Sequence, residues 1–205
     1  MIQFRLKNTL FIFLIFLSHH LYSQCFTLNT AFKPGEKLNY LVYYNWGFVW
    51  VDAGWVEFSV DTANYKNHDS YYFYAIGQSH KGYDWFFKVR EEYKAYLDMD
   101  TYAPLWFERK SQEGSYTAYE KYVYDRNRNK VYSATENSDR PFKNDTLVFP
   151  KCGFDALTLI YYARNINFSH LKVNDKIPVT VVIDNEFFEY LYVTWEKRPL
   201  KPKKE

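Results

Sequence analysis

Lys37-Leu-Asn-Tyr-Leu-Val-Tyr-Tyr-Asn-Trp46 and Val49-Trp-Val-Asp-Ala-Gly-Trp-Val-Glu-Phe-Ser-Val60 are two runs joined across Gly47-Phe48. Their aromatic and β-branched content suits a pleated, half-buried surface. In the second run Trp55, Glu57 and Ser59 fall on one face and Val56, Phe58 and Val60 on the other. That period of two is the mark of a strand. Gly54 interrupts the run, as a glycine does at a bulge or where another backbone comes close. The pair is therefore expected to form a hairpin.

Outward from this hairpin the pattern repeats. Phe32-Lys-Pro-Gly-Glu36 before it reads as a turn. After the polar loop 64–70, Tyr71-Tyr-Phe-Tyr-Ala-Ile-Gly77 reads as a strand. Asp84 to Leu97 fits helix or strand; Phe87, Val89, Glu91 and Tyr93 in register favour one long strand. Leu105–Ser111 and Tyr116–Tyr124 predict a second hairpin across Glu113-Gly114, followed by the short strand Lys130–Ser133. Asp184-Asn185 predicts a third, between Lys176–Ile183 and Glu186–Trp195.

One segment departs from this period. Gly153 to Asn165 spaces Phe154, Leu157, Ile160 or Tyr161, and Arg164 as a helix would. Asp155 falls where a carboxylate suits the helix start. The expected fold is mainly β: a curved antiparallel meander or partial β-barrel with one helix near 153–166. No linker divides residues 31–195, which read as a single β-rich domain, with 196–205 as a basic tail.

The N-terminus predicts an address. Arg5 and Lys7 precede the apolar run Thr9 to Leu17, and Ser23 offers a small residue for cleavage. This is the pattern of a secretory signal peptide over 1–23. The run is too short to span a bilayer, which takes roughly 20 apolar residues. Export to the periplasm or the outer-membrane periphery is the expectation, with no transmembrane segment in the processed chain. Arg5 and Lys7 also account for the whole formal charge of +2. A balanced remainder argues against nucleic acid, whose binding depends on neutralising many phosphates. Cys25 and Cys152 are the only cysteines, and in an exported protein they are candidates for a disulfide. Lipid attachment at Cys25 is the rival use.

Catalytic and metal signatures are sparse. His68, His80 and His170 each fall in an expected loop, and neither HExxH, CxxC nor GxSxG occurs. No metal and no cofactor is expected. Glu91 could face inward among aromatic rings, as one carboxylate of a glycan hydrolase would. Cross-strand pairing with Arg90, Arg109 or Lys121 is the favoured reading. Arg164 is the expected buried cation, satisfied by an acid such as Asp155 or Glu91.

The aromatic load is high, with 21 Tyr, 18 Phe and 6 Trp. Part of it serves core and sheet. The remainder could line a cavity for a lipid or glycan, ring faces inward and polar ends satisfied. Trp46, Trp50, Trp55, Trp85 and Trp106, with Glu91 and Arg164, are the candidate ligand-binding residues. A non-enzymatic envelope protein binding a lipid, glycan or protein partner is the leading expectation. The alternatives are a carboxylate-dependent glycan hydrolase and a structural component of an envelope assembly that pairs through an edge strand.

Several of these segments also resemble a known family. Phe32–Tyr40, Tyr44-Asn-Trp46, Val49–Gly54, Phe86–Tyr93, Asp155-Ala-Leu and Tyr161–Asn165 are similar to the domain of unknown function 3108 family, seen among exported proteins of Bacteroidetes-type bacteria. The resemblance runs from Ala31 to about Tyr192. It implies a predominantly β fold outside the cytoplasm and no established activity. Similar proteins continue for several strands beyond Asp184-Asn185. Here Arg198-Pro-Leu-Lys-Pro-Lys-Lys-Glu205 follows instead, so either a natively short member or a truncated reading frame is expected.

Overall fold

A computed structural model describes residues 29–46, 48–150 and 153–192. Eight strands run as an antiparallel meander in chain order: β1 (Lys37–Trp46), β2 (Val49–Tyr65), β3 (His68–Ser79), β4 (Val89–Asp98), β5 (Pro104–Glu113), β6 (Tyr116–Asp125), β7 (Lys130–Asn137) and β8 (Arg140–Val148). The sheet does not close into a barrel. A second sheet holds β9 (Gly153–Phe154), β10 (Lys176–Ile183) and β11 (Glu186–Tyr192), with β9 parallel to β10. Between them in sequence lies the helix α1 (Ala156–Ala163), packed against β3, β4 and β10.

The three predicted hairpins are present. Trp46 pairs with Val49, Glu113 with Tyr116, and Ile183 with Glu186. At the last, Asp184 (φ 50°) and Asn185 (φ 64°) both take the left-handed conformation. A tight two-residue hairpin turn of this hand requires it. Gly54 plays both expected roles. The β1–β2 register shifts between Val42 and Tyr43, opposite Asp52 and Gly54. A Cβ at Gly54 would also come within 2.2 Å of the Gln78 carbonyl oxygen on β3.

The core lies on one face of the large sheet, under the helix. Phe73, Ala95, Phe107 and Tyr122 are cross-strand neighbours on β3 to β6, and all are buried. Tyr161 of α1 stacks on Phe73 with centroids 4.0 Å apart. Phe32 meets Tyr71, Phe73 and Tyr161 edge-on. Val182 of β10 joins the same cluster, which ties the small sheet to the large one.

Several sequence expectations are corrected in their boundaries. The expected loop 64–70 is mostly strand, because Lys66 and Asn67 take the left-handed conformation of a tight turn and Tyr65 pairs with His68. The short strand from Lys130 runs on to Asn137 and pairs with β8, a strand the sequence pattern did not reveal. The helix begins at Ala156, because Asp155 is its N-cap: the Asp155 carboxylate accepts the Thr158 N–H at 2.8 Å. Gly153 and Phe154 instead pair with Thr180 and Val181. The run Asp84 to Leu97 is a strand only from Val89. Residues Lys81–Tyr83 form a 3-10 turn, and the Phe86 and Phe87 N–H groups donate to the Tyr83 carbonyl rather than to a strand.

Candidate functional site

On the core side of β1–β4 the sheet and α1 leave a cleft of about 1010 Å³. Its walls come from each of these elements in turn. Val42 and Tyr44 on β1 and Val56 and Phe58 on β2 form one side. Val89 and Tyr93 on β4 and Leu157 and Ile160 on α1 form the other, and Gly77 lies in the floor. Tyr83, Phe86 and Phe87 from the β3–β4 connection border one end. Among the described residues Glu91 is the one carboxylate in the lining. The cleft exists because strand alternation turns small or apolar residues inward here, while α1 covers only part of the sheet face.

Glu91 belongs to a charged cluster on the inward face. Its Oε1 accepts a short hydrogen bond from the Ser111 hydroxyl, and its Oε2 lies 3.7 Å from Arg109 Nε. Arg109 Nη1 donates to Glu120 Oε1 at 2.9 Å. Glu120 is almost fully buried and also accepts from the Tyr122 hydroxyl (2.6 Å) and the Asp184 N–H (3.1 Å). Burial opposes the charge of Arg109, but Tyr93, Glu120 and Glu91 outweigh it and its pKa is raised. Burial and the Glu120 charge raise the Tyr122 pKa, and burial raises that of Tyr93, over whose ring Arg109 sits at 5.7 Å. This cluster joins β4, β5 and β6 to the β10–β11 turn. It is a cross-strand ion network, with Arg109 as the partner of Glu91.

Arg164 pairs with neither Asp155 nor Glu91, contrary to expectation. Its guanidinium grips Glu36 with two hydrogen bonds, Nη2 to Oε2 at 3.0 Å, and Nη2 also donates to the Ala31 carbonyl at 2.7 Å. The Glu36 carboxyl is held below its ordinary pKa by that hydrogen bond. Arg164 is the C-cap of α1, so its side chain leaves the helix toward the chain's entry into β1. Asp155 lies at the opposite end of the helix.

The tryptophans are dispersed. Trp55 lines the cleft, although its register with Leu41 and Gln78 places it on the strand face opposite Val56. Trp106 lies on the outer face, in a row of rings with Tyr96, Tyr72 and Tyr65. Trp50 and Trp85 are exposed beside the cleft's end. The Trp46 side chain, Cys25, Cys152, the segment 1–23 and the tail 196–205 lie outside the described residues. Sequence reasoning missed Val42, Tyr44 and Ile160 as cleft residues. Their apolar character was visible, but not that α1 would leave them uncovered.

Among the described residues no group of three or more His, Cys, Asp or Glu could hold a metal ion. None of their helices is long and apolar enough to cross a membrane. No curated protein and no solved structure matches the chain significantly. A family model described as a protein of unknown function, DUF3108, matches residues 39–200. That match runs from within β1 past the end of β11, and so the chain belongs to the DUF3108 family.

Proposed function

We propose that this protein is a non-enzymatic, exported binding protein that takes the hydrocarbon portion of a lipid into the cleft between β1–β4 and α1. The observation that carries the reading is the cleft itself, about 1010 Å³ and walled almost wholly by apolar and aromatic side chains. Ligand cavities typically span about 300–1,000 Å³, so this one suits a long ligand. A glycan would call for many hydrogen-bonding groups along the walls. Among the described residues the lining's polar side chains are few, Glu91, Gln78, Ser79 and three tyrosines beside the Trp55 indole, and the apolar remainder favours an acyl chain. The ion network weighs against hydrolysis. Glu91 and Glu120 are both engaged by Arg109, whereas a glycosidase needs two carboxyls facing one glycosidic bond.

The test is binding of cis-parinaric acid, whose fluorescence rises in an apolar site. Ile160→Trp and Val42→Trp place a large ring at the cleft from positions that are themselves partly exposed, so folding is retained. Each is expected to weaken the probe's binding about tenfold with little change in Tm. No binding by the wild type, or equal binding by both variants, overturns the reading.

A second reading rests on β1. It is an edge strand of the large sheet, and Tyr40, Leu41, Tyr43 and Tyr44 on it are exposed. Such an edge can accept a strand from a partner protein. Proline at Leu41, which would remove a backbone donor, would then abolish complex formation in a cross-linking assay while cleft binding persists.

A further inference from the structure

The connection His80-Lys-Gly-Tyr-Asp-Trp-Phe-Phe-Lys88 presents aromatic rings to solvent from a backbone that is held in place. Tyr83 N–H donates to the His80 carbonyl, and the Phe86 and Phe87 N–H groups to the Tyr83 carbonyl. Asp84 accepts from Arg90 at 2.5 Å and from the Ser79 hydroxyl at 3.1 Å. Its carboxyl is depressed despite the cost of burial, through these two bonds. At the start of the segment, His80 N–H donates to the Ala53 carbonyl, and the His80 ring is 2.8 Å from Asp52. The turn is thus bolted to β2, β3 and β4. Even so, Trp85 is 84 % exposed and Phe86 77 %. The tip of the β1–β2 hairpin stands at the same end of the sheet, where Phe48 is 95 % exposed and Trp50 69 %.

Rings held outward in this way serve no core, and an exposed apolar patch of this kind marks an interaction site. The charges beside them select the partner. Asp84 and Asp52 are both engaged, by Arg90 and His80. Lys81 and Lys88 flank the rings, and neither is in an ion pair among the described residues. Of the nearby carboxylates, Glu113 on the adjoining β5 end stands against these two cations. Aromatic rings flanked by lysines match the interface of an anionic bilayer, where rings settle at headgroup depth and ammonium groups meet phosphates.

We propose that the His80–Lys88 segment, with the β1–β2 tip beside it, docks onto an anionic lipid bilayer, Trp85, Phe86 and Phe48 entering the interface and Lys81 and Lys88 contacting phosphate headgroups. Tyr83, Phe86 and Phe87 border the cleft as well, so docking would bring the cleft's end against the membrane. The proposal stands on the loop and holds whatever the cleft binds.

The test uses vesicles of phosphatidylethanolamine and phosphatidylglycerol carrying brominated acyl chains, which quench tryptophan on contact. Wild type and variants are purified in the same processed form, so any contribution of the N-terminal apolar run is common to all. The wild type is expected to bind, with the emission lost in Trp85→Phe being emission that the brominated chains quench. Trp85→Ser combined with Lys81→Glu and Lys88→Glu should bind roughly tenfold more weakly or worse, and added salt should weaken the wild type. None of the three residues lines the cleft, so cis-parinaric acid binding without vesicles should be unchanged in the triple variant. That readout separates failure of docking from failure of the cleft reading. Unquenched Trp85, or triple-variant binding equal to wild type, overturns the proposal. So does self-association in sedimentation that Trp85→Ser abolishes while vesicles are ignored, which would make the patch an interface between two copies.

Discussion

Arg164, at the end of the only α-helix among the described residues, grips Glu36 from 128 residues earlier in the chain. The pair fastens the turn that opens the large sheet to the element that covers it. Phe32 and Tyr161 sit within about 6 Å of the same guanidinium, so the contact combines charge, hydrogen bonds and ring faces. Asn165 reinforces it by accepting from the Thr30 and Ala31 N–H groups.

Arg164→Ala is expected to cost roughly 2–3 kcal/mol, read by urea unfolding, since it leaves a partly buried carboxylate without its partner. Arg164→Lys should recover only part of that, because an ammonium cannot make the two-point contact. Equal stability of wild type and the alanine variant would show that the pair is idle.

Gly54→Ala should destabilise by roughly 1–3 kcal/mol, because its new Cβ would overlap the Gln78 carbonyl oxygen and force β2 from β3. The same change at Gly82, where no atom lies within 4 Å of the added Cβ, should leave the thermal midpoint nearly unmoved.

Arg109→Met removes the cation shared by Glu91 and Glu120, and two carboxylates would then face each other across the strands. A loss of roughly 3–5 kcal/mol is expected. Adding Glu91→Gln and Glu120→Gln should restore much of it. A triple variant no better than the single one would mean that Arg109 acts through packing alone.

Asp155 supplies a pH dependence of definite sign. Burial pushes its carboxyl from 3.8 up to about 6, against the pull of the Thr158 hydrogen bonds. Between those values the folded chain holds a proton that the unfolded chain has released. Its contribution is therefore complete below about 3.8 and lost as pH rises through about 6. The span is on the order of 3 kcal/mol. Asp155→Asn keeps an acceptor for the helix cap and removes the titration. The stability gap between the two proteins should change across that window, and a constant gap would count against a raised pKa.

Trp106→Ala should leave cis-parinaric acid binding unchanged, since its ring lies in the outer row with Tyr96. A stability loss of about 1 kcal/mol from the broken ring contacts is expected. Weakened probe binding would place the ligand on the other face of the sheet.

Much of the architecture was legible from residues alone, because period-two alternation and turn chemistry are local. The β1–β2 hairpin and the Asp184-Asn185 turn follow from side-chain volume and backbone conformation within a few residues. Its place inside a strand pattern marked Gly54, although the Gln78 carbonyl that crowds it lies on β3. A helix near Asp155 was legible in the same way, although its start needed the cap and the competing β9–β10 pairing to be seen. The Asp84–Lys88 stretch misled for the opposite reason. Its aromatics satisfy strand propensity, but Arg90 and Ser79 clamp Asp84 and bend the backbone into a turn.

Which charge meets which was decided only in three dimensions. Glu36 and Arg164 are distant in sequence, and nothing local distinguishes that pairing from the Asp155 or Glu91 alternatives. Likewise, an aromatic residue has the same local signature whether it faces the core, the cleft or water. The placement of α1 over part of the large sheet sends Tyr161 inward, leaves the cleft between Val42 and Ile160 open, and leaves Trp106 on the outer face. Sequence alone determined most of the strands and turns, since those depend on neighbours along the chain, whereas β8 and β9 emerged only with their pairing to β7 and β10. Tertiary structure decided the ion pairs and the cleft, since those depend on which surfaces long-range packing brings together and which it leaves uncovered.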